Sequence, residues 1–144
     1  MKTVRDDDGN RYLLLKRSES ASLVRDPRTG NQCYVRNDRL EAVDGESPLE
    51  TAARGVDEPV RTLLRYVHDD RTLGLLIELA DRGPAPVRDL LGEYDFCESD
   101  LHGRVATLVA AGLLEEADVA GERGYGVTDD CRRALDVVRP ADDA

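Results

Sequence analysis

The sequence predicts an α+β chain in two parts: a small antiparallel β-rich module over residues 1–45, and a helical domain over 46–139 that closes with a β-hairpin. Three observations predict it. Strand-compatible runs separated by Gly, Pro and Asn clusters fill the first 45 residues. From Ser47 onward, apolar residues recur at i, i+3, i+4 and i+7. After Leu113, two strand-like runs flank a Gly-rich stretch, and a last helical segment follows. A chain of 144 residues with 40% apolar content suits one domain plus a small accessory module.

Asp7-Asp8-Gly9-Asn10 is a turn signal, and Arg11 to Arg17 (RYLLLKR) reads as the strand after it. Leu23-Val24 and Cys33-Tyr34-Val35 are short apolar runs around Asp26-Pro27-Arg28-Thr29-Gly30-Asn31. Pro27 presets φ and Gly30 or Asn31 can take φ > 0, so these runs form a hairpin. Arg39 to Val43 supplies one more strand, and the module reads as a small sheet or miniature barrel.

Ser47 precedes Pro48 at a helical first position, with Glu50 in the first turn. Gly55 limits that helix to about two turns. Pro59 to Asp69 carries the stripe Val60, Leu63, Leu64, Val67. Asp69 or Asp70 caps the next helix, with Leu73, Leu76, Ile77 and Ala80 as its stripe and Gly83-Pro84 as its stop. Val87, Leu90 and Leu91 mark a short helix, and Tyr94-Asp95-Phe96 a turn. Glu98 to Ala111 turns Leu101, Val105 and Leu108 inward and ends at Gly112. Strands follow at Leu114–Val119 and Tyr125–Thr128, with Ala120 to Gly124 as the turn. Thr128 caps a last helix, Asp129 to Arg139, and residues 140–144 form a flexible tail.

Charge is the strongest compositional signal. The chain has 30 acidic residues against 20 basic, for a net −10. The basic set is 18 Arg and 2 Lys. Residues 1–40 run against this trend at net +3, which reads either as an anion-facing patch or as scatter over a small module. The Asp-rich, Lys-poor composition resembles salt-adapted cytosolic proteins such as those of haloarchaea, where the Debye length falls to about 3 Å. No run of 18 apolar residues and no apolar leader is present, so a cytoplasmic protein without a membrane span is expected.

Cys33, Cys97 and Cys131 are widely spaced, and His68 and His102 are equally dispersed. No disulfide scaffold or metal site is expected from them, and no cofactor. The acid pairs Glu115-Glu116 and Asp129-Asp130 are adjacent and do not converge on one face. No phosphate-binding loop and no nucleophile–base pair stands in recognisable context, so an enzyme is not expected.

Three motifs carry a resemblance. They are Asp69-Asp70-Arg71-Thr72-Leu73-Gly74-Leu75-Leu76 with Asp89-Leu90, then Ala111-Gly112-Leu113-Leu114, then Tyr125-Gly126-Val127-Thr128-Asp129-Asp130-Cys131-Arg132-Arg133. Residues 68–138 thereby resemble winged helix-turn-helix transcription regulators of the ArsR, MarR and PadR type, with Cys131 in place of a usual glycine. The whole layout is similar to haloarchaeal helix-turn-helix proteins with a short β-rich N-terminus. The resemblance implies that Glu98–Ala111 is a recognition helix for the major groove. It implies that the tip at Gly121–Gly124 reaches a phosphate or the minor groove. It also implies that the Pro59–Asp69 and last helices form a homodimer. The cysteines of metal-sensing members have no counterpart at Pro86-Val87-Arg88, so that role does not carry over.

The outward face of that helix is Ser99, Gly103, Ala106 and Ala110, flanked by His102 and Thr107, with Arg104 nearer the buried edge. It holds no Arg, Lys, Asn or Gln for bidentate base contacts, and Glu98 and Asp100 repel phosphate. The candidate DNA-binding residues are therefore Ser99, His102, Gly103, Arg104, Ala106, Thr107, Arg123 and Tyr125. Phosphate contacts fall to Arg71, Arg88, Arg104, Arg123 or the basic N-terminal module. The expected function is a double-stranded-DNA-binding transcription regulator. The alternative is a winged-helix adaptor with a protein partner in transcription or chromatin machinery.

Overall fold

Asp6 closes the first turn. Its Oδ1 accepts the backbone N–H groups of Asp8 (3.0 Å) and Asn10 (2.9 Å), and Gly9 takes φ +87°. This turn joins β1 (Lys2–Arg5) to β2 (Arg11–Arg17). The computed structural model describes residues 1–140. Among them are two antiparallel sheets and six α-helices in a mixed α+β fold. No helix among the described residues is long and apolar enough to cross a membrane.

The first sheet continues with β3 (Ala21–Arg25), β4 (Gln32–Arg36) and β5 (Glu41–Ala42), in the order β4-β3-β2-β1-β5. The Asp26–Asn31 hairpin forms as expected, with the Gly30 N–H on the Asp26 carbonyl and the Arg28 N–H on the Asp26 carboxylate. A 3-10 turn takes Asn37–Arg39 and trims the expected Arg39–Val43 strand to two residues. Strand β1 is absent from the sequence reading. Its consecutive Thr3 and Val4 are both buried, so it lacks the alternation that marks a half-buried strand.

Ser47 caps α1 (Pro48–Ala53) by accepting the Leu49 N–H. Helix α1 packs on β1 and β2. The buried Thr51 hydroxyl donates to Glu46 at 2.6 Å and meets the Thr3 hydroxyl. That bond first, and the Arg54 guanidinium after it, outweigh burial and hold Glu46 below its usual carboxylate range. These links keep α1 with the sheet, and the chain divides into Met1–Asp57 and a second unit from Glu58.

The second unit runs α2 (Glu58–Tyr66), α3 (Asp70–Arg82), β6 (Ala85–Pro86), α4 (Val87–Glu93), α5 (Glu98–Ala110), β7 (Leu114–Val119), β8 (Glu122–Val127) and α6 (Asp129–Val138). Its core joins Leu75, Leu76 and Leu79 of α3 to Leu90, Leu101, Val105, Leu108, Leu113, Leu114, Cys131 and Leu135. Burying each such leucine contributes about 1.5–3 kcal/mol. The expected inward face of α5 is the observed one. The α3 stripe is partly rotated from the expected one: Leu76 is buried as expected and Leu75 and Leu79 are buried with it, while Leu73, Ile77 and Ala80 are half-buried. On α2, Val60 and Leu63 face in, but Leu64 is 67% exposed.

Helix α2 stops at Tyr66 rather than Asp69, because Asp69 is extended (φ −149°) to cap α3. Thr128 caps α6 through the Cys131 N–H, and that helix ends at Val138, one residue before Arg139. Gly112 takes φ +80°, and the Leu113 N–H returns to the Leu108 carbonyl at 2.9 Å, closing α5 as a C′ glycine does. The expected flexible tail lies, beyond Pro140, outside the described residues.

The hairpin differs from its expected form. Its turn is Ala120-Gly121 alone, both at positive φ, and β8 begins at Glu122 rather than Tyr125. The reason is β6, which the sequence reading lacks. Ala85 and Pro86 pair with Tyr125 and Gly124, giving the order β6-β8-β7. A Cβ at position 124 would stand 2.3 Å from the Ala85 carbonyl oxygen, and one at 126 would stand 3.0 Å from Pro84 Cγ. These glycines admit a neighbouring strand and do not make a turn.

Arg104 of α5 reaches back to the α3 cap. Its Nη1 donates to both Asp69 oxygens at 2.9 Å, and its Nε donates to Asp100 at 2.9 Å. The Thr72 N–H, then the Thr72 hydroxyl and Arg104, lower the Asp69 carboxyl to about 2.

Gly124→Ala should destabilise the protein by about 1–3 kcal/mol in urea unfolding, since backbone blocks the added methyl. Asp69 releases its proton more readily folded than unfolded, so its cap stabilises above the ordinary 3.8 and is lost as pH falls through about 2. Asp69→Asn should therefore flatten the fall in melting temperature over that window. An unchanged acid profile would remove the cap from the account.

Candidate nucleic-acid interface

Helix α5 begins at Cys97, whose backbone carbonyl accepts the Leu101 N–H, and its inward leucines fix which side faces out. Ser99, His102, Gly103, Ala106, Thr107 and Ala110 are all exposed. The β7–β8 hairpin stands beside it. Cross-strand pairing puts Glu116 opposite Tyr125 and Asp118 opposite Arg123, so these four share one face of the hairpin.

Between helix and hairpin lies a groove of about 730 Å³. Val87, Leu101 and Val105 give it apolar walls, and Glu98, Ser99, His102, Arg123 and Tyr125 give it polar edges. The fold thus brings together Ser99, His102, Arg123 and Tyr125 of the expected site. Gly103, Arg104 and Thr107 lie around the helix, in a separate hollow of about 410 Å³ that also touches Ser99, His68 and Asp69. Ala106 is exposed and lines neither of these two hollows. The Thr107 hydroxyl donates to the Gly103 carbonyl at 3.2 Å, so its proton is already committed.

Arg123 is a strand residue, not part of a turn at Gly121–Gly124. Its Nε lies 2.7 Å from Glu116 Oε1, and its Nη2 donates to the Tyr125 hydroxyl at 2.9 Å. Arg88 meets Glu122 at 3.0 Å. Arg71 lies 3.4 Å from Asp100 and 3.5 Å from Asp95, with its guanidinium over the Phe96 ring at 4.8 Å. Every arginine that the sequence offers for phosphate contact in this unit thus already holds a carboxylate.

Magnitudes separate these arginines. Exposed ion pairs are worth only about 0.2–1 kcal/mol, so a phosphate can replace the carboxylate at small cost. Arg88 and Arg123, with side chains 77% and 67% exposed, fall in that class. Arg104 does not: it is 19% exposed and bonded to Asp69, Asp100 and Thr72, so it positions α5 on α3.

Sequence reasoning missed three residues here. Glu98 and Val87 line the groove, and Glu116 holds Arg123. Glu116 becomes legible only when the hairpin register is known, because it lies diagonally across from Arg123 on the same face. The Cys97 thiol is exposed beside Ser99, and the Ser99 hydroxyl, then the Asp100 N–H, lower its pKa. Cys131 is buried and pushed up to about 11 by that burial. In the first unit, the Asp6, Asp7 and Asp8 carboxylates lie within 4.8 Å of one another. Asp6 serves its turn and Asp7 binds Arg39, which accounts for both without an ion.

Comparison of the chain with curated proteins and with solved structures gives no match. A family model does match, over residues 1–139. Both the first sheet and the groove-bearing unit fall within that span, and the chain belongs to the family of unknown function DUF7346.

Proposed function

We propose that the second unit is a winged helix-turn-helix domain that binds double-stranded DNA and regulates transcription. Helix α5 enters the major groove, and the β7–β8 hairpin is the wing. One observation carries the reading. The outward face of α5 is exposed along its length, bears only small side chains and His102, and adjoins the hairpin that holds Arg123. A helix so stripped can seat deeply in a groove about 12 Å wide. The element order α3-β6-α4-α5-β7-β8, with β6 beside β8, supports the same reading.

Arg123 and Arg88 would trade carboxylate for phosphate. Helices α2 and α6 pack together and expose Leu64, Val137 and Val138, a surface suited to a homodimer. A two-fold pair would set two α5 helices about 34 Å apart. The acidic surface fits a salt-rich cytoplasm, where binding would depend less on counterion release and more on contact.

A second reading has its own observation. Each of these arginines carries an acid and the chain is net −10, which suits a winged-helix adaptor that docks a protein. Selection from random duplexes, followed by titration over a range of KCl, tests the first reading. Enrichment of a defined site supports it. No enrichment, with a stoichiometric protein partner recovered from the native cells, supports the adaptor.

Two variants sharpen the test. Glu116→Gln should free Arg123 and tighten DNA binding, while Arg123→Gln should weaken it and lower the salt slope by about 1. Gly103→Ala meets open space and should stabilise the helix by about 0.4–1 kcal/mol, yet weaken DNA binding if the face sits flush in the groove. Equal affinity in all three variants would remove this face from the interface.

A further inference from the structure

The first sheet carries an irregularity with a directional effect. Pairing between β2 and β3 runs Leu14 to Val24, then Lys16 to Leu23 and Arg17 to Ser22, so the register slips at Leu15. A one-residue slip exchanges the faces of all that follows. With unbroken alternation, Lys16 would stand on the face of Leu14. The bulge puts Arg17 there instead, and leaves Leu15 beside Leu14.

That face holds a hollow of about 380 Å³. Val4, Leu14, Leu15 and Leu40 give it an apolar floor, with Lys2 and Arg17 at the edge. The far side is fixed by Asn37, which accepts the Ser22 hydroxyl at 2.6 Å and donates to the Ser18 carbonyl at 2.7 Å. In this first unit Arg5, Arg11, Arg28, Arg36, Arg39 and Arg54 all meet carboxylates. Among the described residues, Lys2, Lys16, Arg17 and Arg25 of this unit meet none, and of these only Lys2 and Arg17 line the hollow. Glu41 also lines the hollow, but its carboxylate is bound to Arg5.

We propose that this hollow binds an acidic peptide segment of a partner protein. Its carboxylates meet Lys2 and Arg17, and an aliphatic side chain rests on Leu14, Leu15 and Leu40. Charge complementarity selects an anion, since Lys2 and Arg17 stand together at this hollow with no carboxylate of their own. The leucine floor selects a peptide over a nucleic acid: no aromatic side chain lines the hollow to stack a base, and a phosphate would leave the leucines uncovered. The inference stands apart from the DNA reading of the second unit.

The test is fluorescence anisotropy on the full chain in moderate KCl. The probe is a labelled peptide of about a dozen residues, Asp and Glu around two leucines. Saturable binding should weaken by about tenfold in Lys2→Glu/Arg17→Glu, the size expected of two partly exposed ion pairs. The milder Lys2→Gln/Arg17→Gln should weaken it in the same direction, which covers loss of folding in the first variant. Lys16→Glu/Arg25→Glu changes the net charge equally on the opposite face and should leave binding within about twofold. Replacing the peptide leucines by alanine should abolish it. Equal loss in both charge-reversed variants, indifference to the leucines, or tighter binding of a labelled single- or double-stranded oligonucleotide at the same residues would each overturn the proposal.

Discussion

The backbone of Ala85-Pro86 passes so close to β8 that position 124 must do without a side chain, and Pro84 crowds position 126. This contact holds the second unit in its observed form. Strand β6 leaves α3 through Gly83 and leads directly into α4, so its grip on β8 ties two helices and the hairpin at one point. The hairpin is then held beside α5, with the groove between them. Arg104 completes the frame from the other side by fixing α5 to the α3 cap.

Electrostatics in this protein act at short range. Most of the arginines meet acids at contact distance, and the guanidinium fork suits a carboxylate in a way that a lysine ammonium does not. Such pairs cancel the distant field while keeping the local donors in place. In concentrated salt, where screening sets in within about 3 Å, only contact pairs retain their worth.

Much of this was legible because it is local. Ser47, Asp69, Thr128 and Gly112 act within one helical turn, and their chemistry alone placed the helix ends. What stayed hidden depends on chain brought from elsewhere. Strand β6 is two residues long and contains a proline, so no periodicity announces it. Gly124 imitates a turn residue and serves packing instead, which displaced the expected turn and put Arg123 in a strand. The slip at Leu15 sits in a run of three leucines with no glycine to mark it. Arg71 reaches Asp100, Arg88 reaches Glu122 and Arg104 reaches Asp69 across 29, 34 and 35 residues, beyond the reach of any local pattern.

The displaced register also divides the scarcest residue type. The only two lysines of this chain, Lys2 and Lys16, fall on opposite faces of one sheet, although they lie on neighbouring strands. Side-chain amine chemistry therefore has two addresses in the molecule, one on each face. Reagents that acylate lysine become reporters of which face is covered, and the ratio of the two products reads out occupancy without any label being engineered into the protein.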